Sequence, residues 1–322
     1  MKAAVLHAFD RPPRCEEFPD PVAQEGEAIV RVRAAALKPV DRQMVSGAHY
    51  ASSRELPMVC GTDGVGVLDH GRRVFFGGAR PPYGAMAERT VVAAVRCVPL
   101  PDRVDDVAAA AVFNPGLSAF GALKWRAQVA SGESVLILGA TGVTGKLAVQ
   151  TAKLLGAGRV VAAGRNEKVL GTLHELGADA TIRLGAPGEN LAEVFAREVG
   201  ERGFDIVIDY LWGAVTEALV SALARKDFMS AASRVRLVQV GESAGATISL
   251  PAAALRSSRL EILGAGSGSA PASRAVWGEA IQWLLENVGR GVLRVETECV
   301  PLAEIESAWG RELSGRRAVV VP

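Results

Sequence analysis

Cysteine is scarce in this sequence. The four cysteines, Cys15, Cys60, Cys97 and Cys299, form no CxxC pair and have no closely spaced histidine. Paired, closely spaced cysteines are the usual signature of a disulfide framework or a zinc cluster. The sequence therefore predicts neither a disulfide framework nor a bound metal.

An excess of charge of one sign and long apolar runs are also missing. The 322 residues carry a formal net charge of +1, and Lys and Arg are not clustered. Without a positive patch, nucleic acid is not an expected partner. The N-terminus turns polar too early for a signal peptide, and no apolar run approaches the roughly 20 residues of a membrane span. We therefore expect a cytoplasmic protein that does not enter a membrane.

The chain changes its pattern after the first third. Up to about residue 112, short apolar runs such as EAIVRVRAAAL and ERTVVAAV are bounded by turn residues, which indicates β-strands. From about residue 117, strand-like and helix-like segments alternate, beginning with SVLILGA, KLAVQTAKLLGA and RVVAAGR. This alternation predicts a parallel sheet with right-handed crossovers. A chain of this length should divide into two domains.

The C-terminal segment completes the predicted architecture. A stretch rich in small residues, GAGSGSAPAS, precedes one long predicted helix, RAVWGEAIQWLLENVG, and a strand-rich tail. The tail has no sheet of its own to complete. We therefore expect it to pack back on the N-terminal β-rich segment, so that the α/β unit is an insertion in a discontinuous first domain.

One glycine-rich turn carries most of the functional information. It lies between a buried strand and an amphipathic helix in SVLILGATGVTGKLAVQTAKLLGAGRVVAAGRN. Glycines allow the backbone to approach a pyrophosphate closely, and the helix that begins there offers unsatisfied N–H groups to the anion. A tight turn without a ligand is the alternative, but the complete strand, turn, helix and strand favour a dinucleotide. The predicted binding turn consists of Gly139, Ala140, Thr141, Gly142, Val143, Thr144 and Gly145.

The end of the second strand indicates which dinucleotide binds. The strand ends in Gly164, Arg165 and Asn166, without the Asp or Glu that accepts hydrogen bonds from the ribose of NAD. A guanidinium can bind the 2′-phosphate of NADPH, which a carboxylate would repel. The sequence therefore predicts NADPH as cofactor. An ordinary surface arginine is the alternative for Arg165, and Lys168 is interpreted as a solvated helix residue that could add charge.

Later strand ends of the same sheet are further candidates. Ligands in open α/β sheets lie beyond the carboxyl ends of the strands. We therefore expect these turns to line the nicotinamide and ribose, although each could also be a plain connecting loop. The candidates are Asp209, Tyr210, Val240, Gly241, Gly264, Ala265 and Gly266.

The order of several motifs resembles the medium-chain dehydrogenase/reductase superfamily, in its zinc-independent quinone-oxidoreductase branch. The segment ALKPVDRQMVSG stands where the family has Asn-Pro-x-Asp, and GTDGVGVL, GRRV, YGAMAE and GLSA follow in the family's order. The resemblance covers nearly the whole chain. It implies a Rossmann NADPH-binding domain at residues 115–264, inserted in a GroES-like catalytic domain at residues 1–114 and 265–322. It also implies a cofactor cleft between the domains, hydride transfer from nicotinamide, and commonly a homodimer.

The zinc ligands of related enzymes are absent from this sequence. Zinc-dependent relatives have a Cys or similar ligand where Lys38 stands, and Gly-His-Glu where Gly61, Thr62 and Asp63 stand. Zinc needs about four converging ligands. The resemblance therefore implies a zinc-independent protein, and a zinc alcohol dehydrogenase is disfavoured.

Two departures from the family bear on mechanism. Lys38 replaces the usual Asn, and Ser118 replaces the usual Thr near the nicotinamide. A lysine could polarise a carbonyl and stabilise a developing enolate. Pairing with an acid such as Asp41 for structural reasons is the alternative. We expect Lys38, Tyr50 and Ser118 to donate hydrogen bonds to the acceptor, with Asp41 orienting its neighbours. A surface-loop aromatic is the alternative for Tyr50, and water is an equal alternative as proton source.

These features give two hypotheses for function. The first is NADPH-dependent hydride transfer to a quinone or to an α,β-unsaturated carbonyl compound, in which the protein positions the acceptor and excludes water. The second is an NADPH-binding redox-sensing module without catalysis, which the substitution at Lys38 leaves open.

Overall fold

A computed structural model describes the chain except for residues 10, 48–54, 186–189, 202, 225–233, 267–268, 270 and 272. The described residues divide into two compact units. The first unit comprises Met1–Asn114 and Gln282–Pro322, and the second comprises Pro115–Ile281.

The N-terminal part of the first unit is built almost entirely from strands. Its elements are β1 (Lys2–Leu6), β2 (Arg14–Glu17), β3 (Glu27–Ala36), α1 (Pro39–Val45), β4 (Met58–Val59), β5 (Asp63–Leu68), β6 (Arg73–Gly77), β7 (Arg89–Ala93), β8 (Val98–Pro99) and α2 (Asp106–Phe120), whose last residues belong to the second unit. The alternation in β3 follows the rule for a half-buried strand, because Val30 and Val32 are buried whereas Arg31 and Arg33 are exposed.

The second unit contains a parallel sheet with helices in the crossovers. Its further elements are β9 (Ser134–Leu138), α3 (Val143–Leu154), β10 (Arg159–Gly164), α4 (Glu167–Thr172), β11 (Ala180–Arg183), α5 (Leu191–Glu201), β12 (Ile206–Asp209), α6 (Gly213–Leu223), β13 (Arg234–Gln239), α7 (Ala252–Ser257), β14 (Arg259–Gly264) and α8 (Arg274–Gly289). The strand order is β11-β10-β9-β12-β13-β14, which is that of the Rossmann fold. The order reverses between β9 and β12, so the carboxyl ends of these strands form the expected ligand site.

The C-terminal tail returns to the first unit. The strands β15 (Thr297–Pro301) and β16 (Arg317–Val321) flank the short α9 (Ile305–Ala308) and pair in parallel. Strand β16 then pairs antiparallel with β3, with Val319 opposite Ala36. The sheet order is β15-β16-β3-β5-β6-β8, with β7 also on β3, and β2-β1-β4 form a smaller sheet. The C-terminal tail therefore joins the sheet of the first unit.

The second domain boundary differs from the expected one. The second unit ends at Ile281, whereas the sequence placed the end of the inserted domain at residue 264. Two contacts join the end of β14 and the start of α8 to the rest of the second unit. The rings of Trp125 and Trp277 lie 5.2 Å apart in an edge-on arrangement, and Nε of Arg126 donates to the carbonyl oxygen of Gly264 at 2.8 Å. The start of α8 therefore packs on the second unit although its end belongs to the first.

One helical stretch meets the length and composition criteria of a membrane span. It covers Asp106–Arg126, 21 residues with a mean hydropathy of 1.2 in its most apolar window. Within the protein, 67% of that window is buried. Such burial is typical of a core helix, which meets the same criteria.

Candidate functional site

The glycine-rich turn after β9 has the geometry of a phosphate-binding turn. Gly139 has a φ of +85°, a conformation that favours glycine. Its N–H and that of Ala140 both donate to the carbonyl oxygen of Ala163 on β10. A Cβ on Gly145 would lie 2.3 Å from the carbonyl oxygen of Gly139. Only glycine therefore lets α3 begin this close to the end of β9.

The N-terminus of α3 has no side-chain cap among the described residues. Gly142 occupies the N-cap position, is exposed and supplies no side-chain cap. The helical bonding of α3 starts with Lys146, whose N–H donates to the carbonyl oxygen of Gly142 at 2.9 Å. The preceding N–H groups of a helix have no intrahelical acceptor. A Cβ on Gly142 would meet no atom nearer than 3.5 Å, so this end of the helix is open. The residues present fit a pyrophosphate.

The end of β10 presents one exposed cation. Arg165 is exposed and makes no ion pair within the described part of the chain. Its neighbour Gly164 lies under Thr141, since a Cβ there would be 2.4 Å from the Thr141 methyl group. Asn166 caps α4, because its side-chain oxygen accepts the N–H of Val169 at 3.1 Å. Asn166 thus shapes the turn, while Arg165 remains available to an anion.

Asp209 organises the turn that follows β12. Its carboxylate is fully buried and accepts the backbone N–H groups of Leu211 at 2.8 Å and Trp212 at 2.9 Å. It also accepts the hydroxyl of Thr216 at 2.5 Å. Burial raises the pKa of Asp209, and the three donors oppose that rise. Trp212 adopts a φ of +58°, which is strained for a tryptophan, so the carboxylate holds an unfavourable backbone conformation in place.

Tyr210 and the turns after β13 and β14 complete this edge of the sheet. The hydroxyl of Tyr210 is buried and lacks a hydrogen-bond partner among the described residues, and burial raises its pKa. The N–H groups of Val240 and Gly241 both donate to the carbonyl oxygen of Asp209. The N–H of Ala265 donates to the carbonyl oxygen of Gln239 at 2.8 Å. A Cβ on Gly264 or Gly266 would meet no atom within 4 Å.

A buried charge cluster surrounds Lys38 in the first unit. Its side chain is 2% exposed, and its Nζ lies 3.2 Å from Oδ2 of Asp63 and 3.4 Å from Oδ2 of Asp41. The same Nζ donates to the carbonyl oxygen of Ala36 at 3.1 Å. An ammonium has three N–H donors, and three oxygens surround this one. Burial alone would lower the pKa of Lys38, but the two carboxylates raise it above its ordinary value, so the side chain is charged at neutral pH.

The two carboxylates of the cluster differ in what they bind. Asp41 accepts the N–H of Lys38 at 2.8 Å and that of Thr62 at 3.0 Å, so it fixes the start of α1 and the turn before β5. Asp63 accepts the Thr62 hydroxyl through Oδ2, while its Oδ1 has no partner among the described residues. Burial and the neighbouring Asp41 raise the pKa of Asp63, which Lys38 opposes.

Sequence reasoning missed two members of this cluster. The sequence marks Asp63 only as the counterpart of a zinc-site residue and indicates no role for Arg317. Arg317 is buried and donates to the carbonyl oxygen of Leu37 at 2.9 Å. Burial lowers its pKa to about 10, against the attraction of Asp41 and Asp63. The available signal for Asp63 was its position at the start of the glycine-containing strand DGVGVL. No such signal marked Arg317.

The other predicted donors are Ser118 and Tyr50. Ser118 belongs to the second unit, lies on α2, is half-buried and makes no side-chain hydrogen bond to the described residues. Tyr50 lies outside the described residues. The structure therefore brings Lys38 and Asp41 together and assigns Ser118 to the other unit.

The described residues do not offer a zinc site. No group of three or more His, Cys, Asp or Glu side chains among them could hold a metal ion. Cys60 is buried in the core, and burial raises its pKa far above that of a free thiol. Zinc requires a set of converging, deprotonated ligands. The acids nearest Lys38 already contact an ammonium instead.

Comparisons with known proteins agree with this architecture. Residues 24–102 match the alcohol dehydrogenase GroES-like domain, and residues 143–286 match the domain called zinc-binding dehydrogenase. A solved structure, the quinone oxidoreductase of Thermus thermophilus with its NADPH complex, is 33% identical. It aligns with a TM-score of 0.81 and covers 100% of both chains.

Curated relatives point in the same direction. The quinone oxidoreductase of Pongo abelii is 31% identical over 212 residues, which is 59% of this chain and 59% of that relative. The probable NADPH-dependent quinone reductase of Emericella nidulans is 27% identical over 100% of both chains. The chain belongs to the medium-chain dehydrogenase/reductase superfamily, in its quinone-oxidoreductase branch. The predicted resemblance and fold class are confirmed.

Proposed function

We propose that this protein is an NADPH-dependent oxidoreductase that transfers hydride to a quinone or an α,β-unsaturated carbonyl compound without zinc. One observation carries the proposal. Two features of the described residues follow adjacent strands of the sheet, β9 and β10: the N-terminus of α3, where Gly142 supplies no side-chain cap, and the exposed Arg165, which makes no ion pair among them. The first fits a pyrophosphate and the second fits a 2′-phosphate. The names of the relatives, quinone oxidoreductase and probable NADPH-dependent quinone reductase, support the acceptor class.

The residues of this chain would bind and position rather than supply the redox chemistry. Bound NADPH supplies the hydride. The turn from Gly142 to Gly145 holds the pyrophosphate, and Arg165 holds the 2′-phosphate. We assign the half-buried Ser118 hydroxyl to donate a hydrogen bond to the acceptor oxygen. We assign Lys38 a positioning role, in which it holds Asp41 and Asp63, because three oxygens already surround its ammonium.

A second candidate function is an NADPH-binding redox-sensing module without catalysis. The geometry of Lys38 favours it, because the cation expected to polarise an acceptor is buried and paired. The two candidates share the cofactor and differ in turnover. On the resemblance to the family, we further propose a homodimer in the cytoplasm.

The deciding experiment mixes the purified protein and either NADPH or NADH with each of a panel of quinones and short enones, and follows the loss of absorbance at the reduced-nicotinamide band. We expect acceptor-dependent loss with NADPH preferred over NADH. Arg165→Glu should weaken NADPH binding by about 100-fold, because a guanidinium–phosphate contact becomes a repulsion. Arg256→Glu is the matched control, since Arg256 is also exposed and lies on α7, which leads into the amino end of β14.

The outcomes separate the candidates. Turnover with NADPH that is lost in Arg165→Glu and kept in Arg256→Glu supports the reductase. NADPH binding without turnover of any acceptor favours the redox-sensing module. Equal affinity for NADPH and NADH in the unaltered protein would contradict the cofactor assignment that both candidates share.

A further inference from the structure

A second arginine lies beside the predicted 2′-phosphate site. Arg183 is the last residue of β11, and in the parallel pairing of β10 with β11 it stands opposite Gly164. The N–H of Leu184 donates to the carbonyl oxygen of Gly164 at 2.8 Å. The carboxyl end of β11 is thus hydrogen-bonded to the residue that precedes Arg165.

The side chain of Arg183 is held on the side of the sheet where α4 begins. Its Nη1 lies 2.8 Å from Oε2 of Glu167, the first residue of α4. The neighbouring Ile182 is buried, so alternation along the strand puts Arg183 on the opposite face. Glu167 in turn follows Arg165 by two residues. Arg165 follows β10 and Arg183 ends β11, so the two residues lie at the same corner of the sheet.

The ion pair leaves Arg183 able to bind another anion. Both side chains are largely exposed, 46% for Arg183 and 71% for Glu167. An exposed pair of this kind contributes little to stability. A guanidinium has five N–H donors, so one carboxylate leaves some of them free to bind a phosphate. Without Arg183, moreover, the carboxylate of Glu167 would repel a phosphate bound at Arg165.

We propose that Arg183 is a second arginine for the 2′-phosphate, held in place by Glu167, and that it helps to set the preference for NADPH. This inference rests on the proposed cofactor. Arg165 reaches the phosphate from the end of β10 and Arg183 reaches it from the end of β11. Glu167 orients the Arg183 guanidinium while Arg183 neutralises Glu167. The site thereby tolerates a carboxylate in the first turn of α4.

The test measures binding of two probes to the full chain by calorimetry. Adenosine 2′,5′-bisphosphate carries the 2′-phosphate and adenosine 5′-monophosphate lacks it. We expect Arg183→Gln to weaken binding of the bisphosphate by about 10-fold and to leave binding of the monophosphate unchanged, because a charge-assisted contact to phosphate is lost. Arg234→Gln is the matched control. It removes another exposed Arg–Glu pair, with Glu261, at the amino end of β13 in the same sheet.

A double variant separates direct binding from neutralisation of Glu167. If Arg183 contacts the phosphate, Arg183→Gln combined with Glu167→Gln still binds the bisphosphate several-fold more weakly than the unaltered protein. Recovery to the unaltered affinity would overturn the proposal, because Arg183 would then act only on Glu167. Unchanged bisphosphate binding in Arg183→Gln would also overturn it. If the unaltered protein binds both probes equally, the NADPH assignment fails together with this inference.

Discussion

Replacing Lys38 by methionine leaves the carboxylates of Asp41 and Asp63 buried without their ammonium. These side chains are 0% and 6% exposed, and Nζ of Lys38 lies 3.4 and 3.2 Å from them. Removing one partner of a buried pair costs about 3–5 kcal/mol of unfolding free energy, because an uncompensated charge stays in the interior. For a unit of this size, that loss lowers the melting temperature by about 10 °C.

The size of the loss should depend on pH. Burial and Asp41 raise the folded-state pKa of Asp63, and Lys38 opposes that rise. Removing the Lys38 ammonium therefore raises the pKa of Asp63 further. A raised folded pKa gives stability that is present below the unfolded value of 3.8 and is lost as pH rises through the folded value. The deficit of Lys38→Met should therefore shrink as pH falls from neutrality towards 4.

Thermal melts followed by circular dichroism at several pH values test this reasoning. Lys153→Met is the matched control, because it removes an ion pair that is exposed. Nζ of Lys153 lies 2.6 Å from Oδ2 of Asp179, and the side chains of Lys153 and Asp179 are 29% and 44% exposed. An exposed pair contributes less than about 1 kcal/mol. Adding Asp63→Asn to Lys38→Met should recover much of the loss. Equal losses in the two single lysine variants, or no recovery, would refute the argument from burial.

Two further predictions, each with a control variant, test the proposed nucleotide-binding edge of the sheet. Gly145→Ala should abolish NADPH binding and destabilise the protein by about 2 kcal/mol or more, because its Cβ would lie 2.3 Å from the carbonyl oxygen of Gly139. Gly171→Ala lies on α4, where an added Cβ would meet no atom within 4 Å, and should stabilise the protein by about 0.5–1 kcal/mol. Urea titrations of both variants measure these changes, and equal effects would contradict the packing argument. Asp209→Ala should cost about 3 kcal/mol, because buried N–H groups lose their acceptor. Asp105→Ala, which removes an exposed cap on the N–H of Ala108, should cost only about 1 kcal/mol, and a similar cost for both would show that the Asp209 turn is not held by its carboxylate.

Much of the second unit followed from local sequence pattern. The buried runs in β9 and β10 and the glycine turn between β9 and α3 are contiguous features, so periodicity and turn chemistry locate them. The pattern did not reveal β11 and α5. Strand β11 has only 4 residues, too few to show a period, whereas the spacing of Leu191, Val194 and Phe195 was an available helical signal for α5.

The sequence alone located the glycine-rich turn after β9 and the cation that follows β10, and the alternation of strands and helices predicted the fold class, because these features are visible in runs of neighbouring residues. Only the tertiary structure decided that Lys38 is buried between Asp41 and Asp63. Likewise, only the folded chain brings Arg317 to the carbonyl oxygen of Leu37, 280 residues away in sequence. Whether a charge is solvated or paired depends on which distant segments pack around it, and composition and periodicity do not carry that information.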